Sequence, residues 1–199
     1  MSRIATLWTG YETYWGLDSF RGLPEEANET YRNKAWFAGA YPLVRTRVRK
    51  GVRKWEPVET AVAAMQRQLN NTPRVQLVPG FYNDSLTSEL AGRARAAAYI
   101  DINCDLYISS MQAMDWLFAG RLVQPGSIVM YDDWFNTPFN HGESRVHLEI
   151  AQKYQVAFRL LFRCSGDSQN NLVMFRVDSI GSAARPDVPL QLREYKVWD

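Results

Sequence analysis

"AAAYIDINCDLYISSMQAMDWLFAGRLVQPGSIVMYDDW", residues 96–134, holds two apolar runs separated by a helical pattern. The runs 96–102 and 126–134 lack apolar–polar alternation, as expected of strands covered on both faces. Between them "SSMQAMDWLFAGRL" (109–122) is amphipathic at helical spacing. Strand, helix and strand in this order predict a βαβ unit and hence two parallel strands. In sheets of this kind ligands bind outside the carboxyl ends of the strands. Both predicted ends are acidic here: Asp101, Asn103 and Asp105 at the first, Asp132 and Asp133 at the second.

Carboxylates cost free energy on leaving water, so an acidic strand end calls for a partner. Adjacent Asp132 and Asp133 repel each other unless a cation or hydrogen-bond donors neutralise them. A hard divalent cation such as magnesium takes carboxylate oxygens. The plainer reading has one aspartate capping a turn while the other faces solvent. Asp101 and Asn103 stand two apart on an extended chain and so share a side. Asp105 is expected to cap the helix that begins near Tyr107 or Ser109.

The same alternation extends outward. "ETYWGLDSF" reads as a strand ending at Asp18, and "PVETAVAAMQRQLNN" (57–71) as a helix with Pro57 in its first turn and Asn70–Asn71 closing it. "RVQLVPG" (74–80) is a strand, and "DSLTSELAGRA" (84–94) a helix capped by Asp84 or Ser85. "ESRVHLEIAQKYQ" (143–155) is the next helix, and "VAFRLLFR" (156–163) with "NLVMFRV" (171–177) forms an antiparallel pair. The whole predicts an α/β three-layer sandwich with a mostly parallel sheet and an antiparallel C-terminal strand. One domain over residues 1–178 is expected, with 179–199 as a loosely ordered tail.

Composition bounds the function. The chain has 199 residues, 46% hydrophobic and 13% aromatic, enough for one well-cored domain. A formal charge of +2 gives no global reason to expect nucleic acid or a membrane surface. No apolar run reaches the roughly 18–20 residues that span a bilayer, and the N-terminus lacks a signal-peptide core. Cys104 and Cys164 lie far apart without metal-type spacing, consistent with a reduced cytoplasmic protein. Self-association into a homo-oligomer is left open.

Other residues carry weaker signals. Asp18, ending an early strand, suits an acid that accepts hydrogen bonds from ribose hydroxyls, although no G-x-G turn precedes it. His141, in "NTPFNHGES", is either a base near neutral pH or a solvated loop residue. His147 reads as structural. The run "VRTRVRKGVRKWE" (44–56) carries Arg45, Arg47, Arg49, Lys50, Arg53 and Lys54. It reads as a solvated helix or loop face, or else as a lid over an anionic substrate or a nucleic-acid patch with Trp55 stacking. Cys104 has no histidine near it in sequence, which argues against a nucleophile. Trp134, Phe135 and Phe139 either line a pocket or pack their loop.

"YWGLDSFRGLPEE", "VQLVPGFYNDSL", the 96–134 stretch and "GESRVH" together resemble the macrocin O-methyltransferase family, from about residue 12 to residue 177. The resemblance implies a class I, Rossmann-like, S-adenosylmethionine-dependent and metal-dependent O-methyltransferase acting on a hydroxyl of a sugar or other natural product. It implies that Asp18 holds the adenosyl ribose with Ser19 and Phe20 beside it, and that Gly80 and Phe81 lie near the adenine. Asp132 and Asp133 resemble two metal ligands. The third is Asn103 by the macrocin-type pattern D-G-D-L-Y, or Asp101 by the related catechol-type pattern. Asn103 departs from the family, because an amide offers oxygen to a metal but takes no proton at neutral pH. Electrostatics favour Asp101, which leaves Asn103 beside the site and His141 as a further catalytic residue. The family's first strand and glycine-rich cofactor loop have no counterpart here, which implies an N-terminal truncation with Ser2 to Trp8 as a helix remnant. The rival expectation is a non-catalytic binding or scaffold protein that uses the basic 45–54 segment for an anionic partner.

Overall fold

The computed structural model describes residues 12–26, 34–44, 46–49, 52–164 and 172–181, with the backbone alone at 46–49 and 52–54. The chain folds as two compact units, Met1–Glu25 with Phe37–Ser85, and Glu26–Trp36 with Leu86–Asp199. The expected remnant helix at 2–8 and most of the expected tail lie outside the described residues.

In the first unit β1 (Tyr14–Asp18) runs parallel to β4 (Val75–Pro79), with Asp18 opposite Pro79 at their carboxyl ends. Helix α1 (Val58–Gln68) begins after Pro57, as the fixed proline φ favours. Asn70 and Asn71 follow it at φ 55° and 48°, a left-handed conformation that asparagine tolerates better than most residues. Phe20, Val44 and Ala61 form the core, with Val58, Val62, Met65 and Leu77 packed on them. The basic run is neither helix nor loop: β2 (Thr46–Arg49) and β3 (Val52–Trp55) pair as an antiparallel hairpin. Alternating valine or threonine with arginine is a period-two pattern, which suits a strand. The helix expected over 84–94 is two short ones, α2 (Tyr82–Ser85) and α3 (Ser88–Arg93). Thr87 breaks them, since its extended backbone and hydroxyl cap α3 by accepting from Leu90 N at 3.1 Å.

The second unit holds α3, β5 (Tyr99–Ile102), α4 (Tyr107–Ala119), β6 (Ile128–Tyr131), α5 (Gly142–Tyr154), β7 (Ala157–Arg163) and β8 (Val173–Ser179). The strand order is β5-β6-β8-β7. β5 is parallel to β6, and β8 is antiparallel to both β6 and β7. Three strands therefore point one way and the C-terminal strand alone runs against them. β5 stands at the end of its sheet and is shorter than the apolar run around it. It also alternates, with Ile100 and Ile102 buried and Asp101 exposed, so it is covered on one face rather than two. Its carbonyl end is set by Asp132 N, which donates to Ile102 O at 3.1 Å. The core is closed by Met114, Val129, Tyr131, Val146, Ile150, Phe175 and Val177, all essentially without solvent contact.

Candidate functional site

The register of β5 on β6 places Ile102 opposite Tyr131, so the residues that follow each strand emerge side by side. Asn103 Nδ2 donates to Asp132 Oδ2 at 2.9 Å. Asp101 sits one pleat back, and burial together with the Asp132 charge pushes its carboxyl up to about 6. Its side chain still meets solvent on one side. Asp105 adopts φ 59°, uncommon for a residue with a side chain, and this bends the chain towards β6. Asp105 and Asp133 are hydrogen-bonded, and burial plus the Asp133 and Asp132 charges push Asp105 up to about 7. Burial raises Asp133 as well, although Asn136 Nδ2 donates to its Oδ1. Two carboxyl groups this close titrate as a pair.

Glu143 lies beneath this cluster in the first turn of α5. It is 1% exposed, and its Oε2 accepts from Asp133 N at 2.9 Å. Burial and the Asp133 charge raise its carboxyl well above the usual range. Its Oε1 has no partner among the described residues. The turn that delivers Glu143 depends on Gly142 at φ 51°, where a Cβ would meet Thr137 Oγ1 at 2.9 Å. His141 is the residue before α5, and its carbonyl accepts from Ser144 Oγ at 2.9 Å and Thr137 Oγ1 at 3.2 Å.

Asp105 does not cap α4. The residue before that helix is Leu106, without a side-chain cap, and Glu26 Oε1 instead accepts from Ile108 N at 2.6 Å. Asp105 is drawn away by its bond to Asp133, and Glu26, 3% exposed, takes the free helix amide. Sequence reasoning passed over Glu26 and Glu143. Their signals were an acid in "LPEE" and an acid just after a glycine at a helix start, neither of which stands out before folding.

His147 is a core residue: its Nδ1 lies 3.3 Å from Tyr131 Oη, and its ring stacks 4.2 Å from Phe175. Burial holds it neutral, lowered to about 3. Trp134 packs in the same aromatic group, Phe135 lies under Arg163 at 4.7 Å, and Phe139 is exposed.

In the first unit the β1–β4 register brings Asp18, Ser19, Phe20, Gly80 and Phe81 together, with Gly80 N donating to Asp18 O at 2.9 Å. Asp18 Oδ1 accepts from Phe20 N at 2.5 Å, forming a turn on which Phe20 enters the core at φ 59°. Burial raises the Asp18 carboxyl. Ser19 Oγ donates to Gly22 O at 2.7 Å. Gly80 takes φ 141° and approaches Ser85, where a Cβ would come within 3.0 Å of Ser85 Cβ.

Among the described residues no three His, Cys, Asp or Glu side chains are gathered closely enough to hold a metal ion. The chemistry of the donors nevertheless suits a hard cation: carboxyls raised by burial and by one another's charge, beside a buried Glu143 oxygen without a partner among the described residues. Among the described residues no helix is long and apolar enough to cross a membrane.

The fold has a solved likeness. The chain superimposes on the apo structure of CalS11, a TDP-rhamnose 3'-O-methyltransferase of calicheamicin biosynthesis, with a TM-score of 0.53 at 18% identity, over 88% of this chain and 66% of that one. An O-methyltransferase from Bacillus cereus, in complex with SAH, matches at TM-score 0.41 and 15% identity, over 60% of this chain and 57% of that one. The chain thus spans less than two thirds of the length of either. The first likeness shows the fold, the α/β arrangement of a methyltransferase, with one C-terminal strand reversed. No protein-family model and no curated protein sequence matches the chain.

Proposed function

We propose that the protein is an S-adenosylmethionine-dependent O-methyltransferase of the macrocin type, acting on a hydroxyl of a sugar or other natural product. The observation that carries this reading is the acidic cluster where parallel β5 and β6 end, in a fold shared with a sugar O-methyltransferase. A single methyltransferase-like domain over 1–178, a tail over 179–199 and a cytoplasmic location belong to the same proposal.

In this reading Asp18 and Ser19 hold the ribose hydroxyls of the cofactor. A carboxylate and a hydroxyl suit a diol, and the second Asp18 oxygen has acceptor capacity beyond the turn it forms. Phe20 supports that turn from the core, and Gly80 with Phe81 flank the adenine. Asp101, Asp132 and Asp133 would hold a divalent cation, most naturally magnesium. When bound, the cation supplies Lewis acidity to the acceptor hydroxyl, and the cofactor supplies an electrophilic methyl group. Asn103 orients the acceptor by hydrogen bonding, since its amide takes no proton. The hydroxyl proton would pass to a carboxylate oxygen of Asp101 or to the His141 imidazole.

Titration calorimetry with S-adenosylmethionine, with and without magnesium, tests the reading. Micromolar binding supports it. Absence of binding with magnesium present overturns it in favour of a non-catalytic protein whose basic β2–β3 hairpin meets an anionic partner.

A further inference from the structure

We propose that Glu143 is a positioning residue for the acidic turn, holding Asp132 and Asp133 ready for a cation through the backbone amide of Asp133. This inference rests on the cation reading above and adds a residue to it.

In the turn after β6 the side chain of Asp132 is held by Asn103 Nδ2, and Asn136 N donates to the Asp133 carbonyl. Asp132 N is tied to Ile102 O, and the Asp133 side chain is engaged by Asn136 and Asp105. The backbone amide of Asp133 is held by Glu143 Oε2 at 2.9 Å. That contact holds the peptide between the two aspartates, the backbone from which both side chains leave, while Asn103, Asn136 and Asp105 engage the side chains themselves. Glu143 reaches there because α5 starts at His141–Gly142, where the left-handed glycine drops the next residue under the turn.

Burying a carboxyl is expensive unless its hydrogen bonds are made. Glu143 is fully buried, and among the described residues Oε1 has no partner. The bond from Asp133 is thus the contact that offsets its burial. An aliphatic side chain here would bury no carboxyl that needs hydrogen bonds. An acceptor aimed at the Asp133 amide is what an acid supplies there and an aliphatic side chain does not. Residues that orient metal ligands from behind typically control affinity by about 10–100-fold.

The test uses the full chain, magnesium alone as the titrant, and the backbone amide resonance of Asp133 as a second readout. Glu143→Gln keeps an acceptor for the amide, whereas Glu143→Met fills the volume without one and Glu143→Ala empties it. Magnesium affinity should fall at least about tenfold in the Met and Ala variants and be unchanged in Gln. The Asp133 amide should move upfield in Met and Ala and stay in place in Gln. If Met and Ala bind magnesium like the parent, Glu143 does not position the turn. If Gln loses binding while its Asp133 amide is unmoved, Glu143 is itself a ligand and the positioning role is overturned. If the Met and Ala variants do not fold, an Asp133 amide that moves in the folded Gln variant overturns it too. A parent protein that binds no magnesium overturns the cation reading first, and that outcome is visible without any variant.

Discussion

Asn103 and Asp132, the residues that leave β5 and β6, are joined by an amide-to-carboxylate hydrogen bond of 2.9 Å. The bond closes the gap between two parallel strand ends and places a neutral donor beside an acid. It lowers the repulsion that Asp101 and Asp133 impose on Asp132. Asn103 is thereby a neighbour of the candidate site, and Asp101 is the residue with a carboxylate to offer.

Asp101→Asn should abolish any magnesium-dependent rise in melting temperature, and Asn103→Ala should leave most of it. A carboxylate brings full charge to a hard cation while an amide brings a dipole. Thermal unfolding with and without magnesium decides the matter, and the reverse pattern would assign the role to Asn103.

Stability without cation should carry an acid-favouring component between pH 4 and 7. Asp105 is raised from 3.8 to about 7, so the folded state binds more protons than the unfolded one across that window. Stability from this group is present at low pH and is lost as pH rises. Asp105→Asn should flatten that part of the profile and be more stable than the parent at pH 7.5. Urea unfolding at pH 5 and 7.5 measures it; an unchanged slope in the variant would reject the assignment.

His147 should contribute the opposite sign. Burial lowers it from 6.5 to about 3, so the unfolded state binds the extra proton between these values and stability is lost as pH falls below 6.5. His147→Phe, which keeps a ring among Tyr131, Trp134 and Phe175, should lose less stability between pH 7 and 4 than the parent does. Equal losses in the two proteins would remove His147 as the source.

Glu26→Ala should cost about 1 kcal/mol, because it leaves the half-buried amide of Ile108 without its acceptor at the start of α4. Glu26→Gln should recover most of that loss, since its amide oxygen can accept the same bond. Denaturant midpoints at matched slopes compare the two.

Phe175→Ala should cost about 3–5 kcal/mol, the range for emptying a buried aromatic site. Phe175 is 1% exposed and meets Tyr131, Trp134, His147 and Phe158. A loss below 1 kcal/mol in equilibrium unfolding would mean that the β8 core is less closely packed than described.

The sequence by itself determined the elements and the sign of the site. Apolar runs at 96–102 and 126–134 around a helical pattern are local facts, and they produced β5, α4 and β6 within a few residues of expectation. That acids gather where β5 and β6 end also follows from strand position alone. Tertiary structure decided what those acids meet. Asp105 turned to Asp133 rather than to α4, and the helix amide it left was taken by Glu26, 82 residues before Ile108. Glu143 reached Asp133 across the loop between β6 and α5. β8 inserted between β6 and β7, which no local pattern encodes. The physical reason is the range of the forces involved. Periodicity and turn preference act over a few residues and can be read along the chain, whereas a buried polar group takes whichever partner folding brings within about 3 Å.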